Sequence, residues 1–281
     1  MSIAMRHAAE GPMTHPAVRD LPRIWLGGLP IAVLDLPATA DLIVTAVGRH
    51  PAHGRPLIMT SANSQVVSRC RREPATAALF AHADVISADG QPLVIASRIL
   101  GDHPLPERVA TTDLFPNVAR RAEELGLSFY LFGATEDENR RAFERIRARF
   151  PRLCIAGRSH GYLGGAALER RVAEINAAAP DIVWVALGVP REQAFCARFA
   201  RALGNVGVLK TSGGLFNFLS GSRARAPLWM QQAGLEWAFR IAQEPRRLFL
   251  RYALTSPHAI YLLARSRRLS PSHVATSEHA S

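Results

Sequence analysis

From residue 57 onward, short apolar runs of strand type alternate with longer stretches of helical period, and no other feature of the chain limits its fold so strongly. The runs are LIMTSAN (57–63), ADVISAD (83–89), LSFYLFGA (127–134), LCIAG (153–157), DIVWVALG (181–188) and VGVLKTSGG (206–214). Each is continuously apolar rather than alternating, as expected for parallel strands covered by helices on both faces. Between them, Phe143, Ile146 and Phe150 repeat at helical spacing behind Thr135 and Glu138, a capping-box pair. Phe195, Phe199 and Leu203 do the same behind Pro190, which suits a first helical turn. The pattern predicts an α/β fold with a mostly parallel sheet.

After residue 220 the strand signal stops. Pro245 and Pro257 divide the remainder into short amphipathic helices, and nine arginines stand there against Glu236, Glu244 and Glu278. The reading is a flexible leader at 1–20, an α/β core at 21–220, a basic helical appendage at 221–268 and a polar tail at 269–281. The whole chain carries +11 formal charge, and Lys210 is its sole lysine among 34 basic residues. An arginine excess of that kind follows from a G+C-rich genome without selection for a partner, so its concentration near the C-terminus matters more than its sum.

Several classes are disfavoured. The three cysteines (Cys70, Cys154, Cys196) form no C-x-x-C pair and read as buried free thiols of a reducing cytoplasm. No apolar run approaches the roughly 18–20 residues that span a bilayer. The first twenty residues lack the apolar stretch of a secretory signal. A soluble or peripheral protein of the cytoplasm is expected. There is no G-x-G-x-x-G after the first of these strands and no P-loop. His50 and His53 lack a metal-ligand spacing and read as loop residues.

In parallel α/β sheets, ligands bind beyond the carboxyl ends of the strands. Those ends carry Ser61-Ala62-Asn63, Asp89-Gly90, Gly188 through Gln193, and Thr211-Ser212-Gly213-Gly214. Asp89 follows an apolar strand and precedes a glycine, so it is placed either as a general base or as an ordinary helix cap or turn former. The D-x-D motif that holds a metal on a sugar nucleotide is missing, and an enzyme of that type would need cationic side chains for its leaving diphosphate. Arg240, Arg247 and Arg251 would share one face of a continuous helix, although Pro245 stands between the first two. A solvated or lipid-facing basic face is the competing reading of these arginines.

Taken in order, the motifs resemble the WecG/TagA/CpsF group, glycosyltransferase family 26. They are SAN (61–63), ADG (88–90), PLPERV (104–109), YLFGA (130–134), HGYLG (160–164), VALGVPREQ (185–193), SGGLFNFLSG (212–221), RAP (225–227), GLEWAFR (234–240) and EPRR (244–247). The match runs from about residue 25 to 263.

The resemblance implies a Rossmann-like core and a C-terminal appendage that closes the active site. It implies an inverting, metal-independent transfer of sugar from a UDP donor, such as UDP-glucose or UDP-N-acetylmannosamine. The acceptor would be a polyprenyl-diphosphate-linked saccharide at the inner face of the cytoplasmic membrane, in cell-surface polysaccharide or exopolysaccharide synthesis. No cofactor and no nucleic-acid partner are implied. Asp89 takes the position of the base. Ser61, Asn63 and Arg108 take pocket positions. Tyr162, Gly188, Glu192 and Gln193 fall on the nucleotide side, Gly133, Gly213 and Gly214 among the substrate-binding positions, and Arg240 and Arg247 on the diphosphate side, with Arg251 beside Leu250 as a further candidate there. Ser61 stands where the family often has Thr, Glu192-Gln193 reverses the usual order, Asn217 replaces a common Asp, and Leu250 stands where Arg occurs. Two other classes are weighed against this one, a basic nucleic-acid-binding module and a nicotinamide oxidoreductase. The first lacks interleaved aromatics, and the second lacks the glycine fingerprint.

Overall fold

The computed structural model describes residues 15–47, 54–100, 104–232 and 235–266. Residues 1–14 of the expected leader, the expected tail at 269–281, and His50 and His53 lie outside them.

The first element is one the strand pattern did not announce, an antiparallel hairpin of β1 (Arg23–Leu26) and β2 (Leu29–Ala32). Gly27 and Gly28 make its two-residue turn with φ of +60° and +85°, the geometry that a primed hairpin turn demands. The residues before it are also ordered from His15, which is buried and donates its backbone N–H to Asp84 at 2.9 Å. The leader reading therefore fails for residues 15–20, because that segment is tied to the sheet edge.

Six strands then follow: β3 (Leu57–Ala62), β4 (Val85–Ala88), β5 (Ser128–Gly133), β6 (Cys154–Ser159), β7 (Ile182–Ala186) and β8 (Val208–Thr211). They form one sheet in the order β4-β3-β8-β7-β5-β6, parallel at every pairing. All five residues of β7 are buried, which explains its unbroken apolar run. Trp184 on this strand meets Phe115 edge-on, with ring centroids 4.9 Å apart. The edge strand β6 is partly open, and this leaves Cys154 exposed while Cys70 and Cys196 are buried.

Helices α1 (Leu36–Val47), α2 (Ser64–Arg72), α3 (Pro74–Phe80), α4 (Gln91–Leu100), α5 (Thr111–Leu125), α6 (Glu136–Arg149), α7 (Gly165–Ala178) and α8 (Arg191–Phe199) cover the sheet. The Rossmann-like reading is thus realised. The capping box forms as expected, since Thr135 accepts from the Glu138 N–H at 3.2 Å and Glu138 accepts in return. Pro190, by contrast, lies just before α8 at its N-cap, joined to Val189 by a cis peptide bond.

The C-terminal region comprises α9 (Leu215–Leu219), α10 (Leu228–Gln232), α11 (Glu236–Gln243) and α12 (Pro245–Ala264). The helix is interrupted at Glu244, whose φ and ψ are −135° and 62°, so Arg240 does not share a continuous helix face with Arg247 and Arg251. Pro245, with no N–H to offer, begins a new helix. Ala259, Leu262 and Leu263 of α12 are buried against α2 and α4, in one cluster with Val66, Val67 and Leu93. Ser68 and His258 share a 2.9 Å hydrogen bond across the same contact. The expected appendage is therefore part of the core over its last turns, because α12 supplies the apolar cover that α2 needs.

Candidate active site

A cleft of about 1090 Å³ opens at the carboxyl ends of the strands. Residues following all six strands of the main sheet enter it: Ser61 and Asn63 after β3, Asp89 after β4, Thr135 after β5, Tyr162 after β6, Gly188 after β7 and Gly213 after β8. The other wall is C-terminal, with Trp237, Arg240 and Ile260.

Asp89 lies at the inner end of β4. Its carboxylate Oδ2 accepts from the Thr111 hydroxyl at 3.1 Å and, more weakly, from the Thr111 backbone N–H at 3.4 Å. It thus sits against the start of α5. Burial pushes this carboxyl above the usual aspartate range, opposed by the charges of Arg108 and Lys210 and by both Thr111 bonds. A carboxylate held against water by cations and a helix N-terminus can accept a proton from a hydroxyl in the cleft. Gly90 beside it allows a close approach, because a Cβ there would lie 3.2 Å from the Asn63 side chain.

Asn63 caps α2, accepting from the Val66 N–H at 3.1 Å, and also lines the cleft. Ser61 Oγ accepts from Lys210 Nζ at 2.9 Å and lies 3.1 Å from Ser87 Oγ. Arg108 reaches across to α11, donating to Glu236 at 2.9 Å. Arg240 stacks over the Phe218 ring at 5.8 Å. Tyr162 stands at the rim, 66% exposed.

Glu192 joins two loops. One oxygen, Oε2, accepts from the Gly188 N–H at 3.1 Å and from the Gly213 N–H at 2.9 Å. Burial raises its carboxyl above the ordinary glutamate range, with the two backbone donors and Lys210 opposing. Gln193 points the other way, donating to Thr60 Oγ1 at 2.9 Å beneath the sheet ends. The reversed pair therefore places the acid at the cleft wall and the amide in the interior. Gly214 caps α9 and lines the cleft beside Gly213. Gly133 does not line it. Its φ is +137°, and a Cβ there would lie 2.2 Å from the Ala186 carbonyl oxygen, so this glycine serves the β5–β7 contact. The side chains of Arg247 and Arg251 lie outside the description.

Thr111, Glu236, Asp113 and Arg225 were not read from the sequence as contributors to the site. Thr111 and Glu236 carry no local signature. Asn217 donates to Glu138, which also lines the cleft, so an amide there avoids two facing carboxylates. Asp113 and Arg225 make a paired ion bridge at 2.5 and 2.6 Å that ties the segment before α10 to α5. Among the described residues, no three His, Cys, Asp or Glu side chains are grouped to hold a metal. No helix among them is long and apolar enough to cross a membrane.

A ligand-sized cleft where six parallel strands end is the site of a Rossmann-like enzyme. Comparison with known proteins narrows that class: the glycosyl transferase WecG/TagA/CpsF family model matches residues 24–273, and the chain belongs to this family. It is a glycosyltransferase. Among its relatives is a Bacillus spizizenii N-acetylglucosaminyldiphosphoundecaprenol N-acetyl-beta-D-mannosaminyltransferase, 32% identical over 213 residues, covering 75% of this chain and 80% of the relative. A Bacillus subtilis protein of the same name is 32% identical over 169 residues, covering 60% of this chain and 64% of the relative.

Proposed function

We propose that the chain moves a sugar, of the N-acetylmannosamine or glucose type, from a UDP donor to a polyprenyl-diphosphate-linked saccharide, with inversion and without a metal. The observation that carries this reading is Asp89, a carboxylate at a strand end that accepts from Thr111 at the start of α5 and feels the charges of Arg108 and Lys210. The names of the two relatives support an acceptor carrying a lipid diphosphate.

In this mechanism the acceptor hydroxyl loses its proton to an Asp89 oxygen as its own oxygen bonds the anomeric carbon. The bond from that carbon to the UDP oxygen breaks, and the electron pair leaves with the diphosphate. Arg108 and Arg240 line the cleft and supply cationic donors for that growing charge. Arg247 and Arg251 are proposed for the same work. Ser61 and Asn63 hold the acceptor side. Tyr162, with the loops carrying Gly188 and Gly213 that Glu192 ties together, holds the nucleotide side. The segment 221–268 closes the cleft and, through exposed Trp229, Trp237, Leu254 and Tyr261, rests on the inner face of the cytoplasmic membrane.

The test is a transfer assay with a panel of UDP-sugars and a short-chain lipid diphosphate saccharide, read by product mass and by the one-bond anomeric C–H coupling in NMR. A product one sugar heavier, with inverted anomeric configuration and full yield in chelator, is expected. Retention of configuration, or no transfer from any UDP-sugar, overturns the proposal.

A further inference from the structure

Lys210 has no place in the mechanism so far, yet it is the chain's sole lysine and is completely buried. It lies on β8, next to β3 in the sheet. Its Nζ donates to Ser61 Oγ and to the Thr211 carbonyl, both at 2.9 Å. Ser61 Oγ lies 3.5 Å from Thr111 Oγ1, which donates to Asp89. A line of hydroxyls therefore runs from the ammonium group to the carboxylate. A buried ammonium is costly unless anions face it, and evolution has mostly used arginine in this chain, whose planar fork does not match a single hydroxyl and a carbonyl.

We propose that Lys210 is a positioning residue for the transfer reaction: its buried ammonium, held beneath Ser61, is the fixed counter-charge that keeps Asp89 ionised in the closed cleft. The proposal rests on the reading of Asp89 as the base. The need for such a charge follows from the place of that carboxyl, half-buried at the base of the cleft against Thr111. A desolvated aspartate that took up a proton from water would have none of its basicity left for the acceptor. Every charged group facing the pair is consistent with this role. Burial lowers the titration of Lys210, to about 8, against the opposing pull of Asp89, Glu192 and Cys196. Arg108 and Lys210 act on Asp89, and Asp89 in turn acts on Arg225. The ammonium is thus charged at neutral pH and shared between two carboxylates, of which Asp89 faces the acceptor. When Asp89 accepts the acceptor's proton, the charge of Glu192 still acts on Lys210.

Two measurements on the full-length protein test this. First, the pH dependence of transfer is compared for the wild type and Lys210→Met. The acid limb of the variant moves up by about one pH unit or more, with the plateau rate much less affected. An acid limb at the wild-type position in a folded variant overturns the proposal. Second, a sole lysine gives a single side-chain signal in protein labelled with 13Cε-lysine, so its titration is read directly by NMR. Asp89→Asn removes one facing anion and lowers the Lys210 midpoint, whereas an unchanged midpoint overturns the coupling. This second reading does not require Lys210→Met to fold. It also separates the two claims. If Asp89→Asn keeps full transfer activity, the base assignment fails; if the variant is inactive but the Lys210 midpoint is unmoved, only the coupling fails.

Discussion

Arg108, on the loop before α5, donates to the Glu236 carboxylate of α11 at 2.9 Å, with both side chains largely shielded. The contact bridges the core and the C-terminal wall across the mouth of the cleft. An arginine held by a carboxylate is kept extended toward the place where the proposed diphosphate develops charge, and Glu236 is the group it would exchange for that phosphate.

The two halves of this pair therefore differ in consequence. Arg108→Ala removes a cation from the cleft and lowers kcat by about 100-fold, the scale of one lost transition-state donor. Glu236→Ala keeps that cation in the cleft and costs less than about tenfold in kcat, since the transition-state donor itself is retained. Steady-state kinetics on both variants check this, and equal losses would mean that the pair serves only to hold α11.

Glu192→Gln should loosen the nucleotide side without touching the base. The amide oxygen can take the Oε2 place and both backbone N–H bonds, but the NH₂ group then stands where Oε1 accepts from the Gln193 amide at 3.4 Å, donor against donor. Leaving one donor unpaired costs roughly 1–3 kcal/mol. The KM for the donor rises. A binding titration with UDP reads the same change.

The pH dependence carries a definite sign. Burial raises the folded Asp89 carboxyl above its ordinary value of 3.8, and the base works only when ionised. Transfer is therefore lost as pH falls through that raised value. A carboxyl whose folded titration is raised binds its proton more tightly in the folded state, so its protonation favours folding. Glu192 acts in the same direction. Activity should fall before the circular dichroism signal does, and coincident loss of the two would contradict the assignment.

Gly133→Ala tests the fold beneath the site. The new Cβ would lie 2.2 Å from a backbone oxygen of β7, at a φ that side chains rarely adopt. A cost of about 3 kcal/mol or more follows. Thermal melting should show a drop far larger than for Gly188→Ala, where a Cβ meets open space.

The sequence revealed most where one residue type has one physical use. The six apolar runs had to be covered strands, and Asp89 could be singled out because a carboxylate closing such a strand has no core to enter. Thr111 was invisible, since a threonine at a helix start is ordinary until the sheet places Asp89 beside it. The Arg108–Glu236 and Arg225–Asp113 pairs join positions more than a hundred residues apart, and no local pattern encodes them. The β1–β2 hairpin did have a signal, two glycines between apolar runs, which the emphasis on parallel strands passed over. Lys210 carried the strongest unused signal, a lone lysine inside a buried strand of an arginine-rich chain. The helical character of the C-terminal segment was legible, whereas its packing on α2 and α4 was not, because its few apolar positions meet those helices only in three dimensions.

The central claim is that Asp89 takes the acceptor's proton. Transfer of radiolabelled sugar by Asp89→Asn, measured beside a UDP-binding titration and a melting curve, tests it most directly. The account predicts a folded protein that binds UDP as the wild type does and transfers about 100-fold to 10,000-fold more slowly. Near-wild-type turnover by that variant would contradict it.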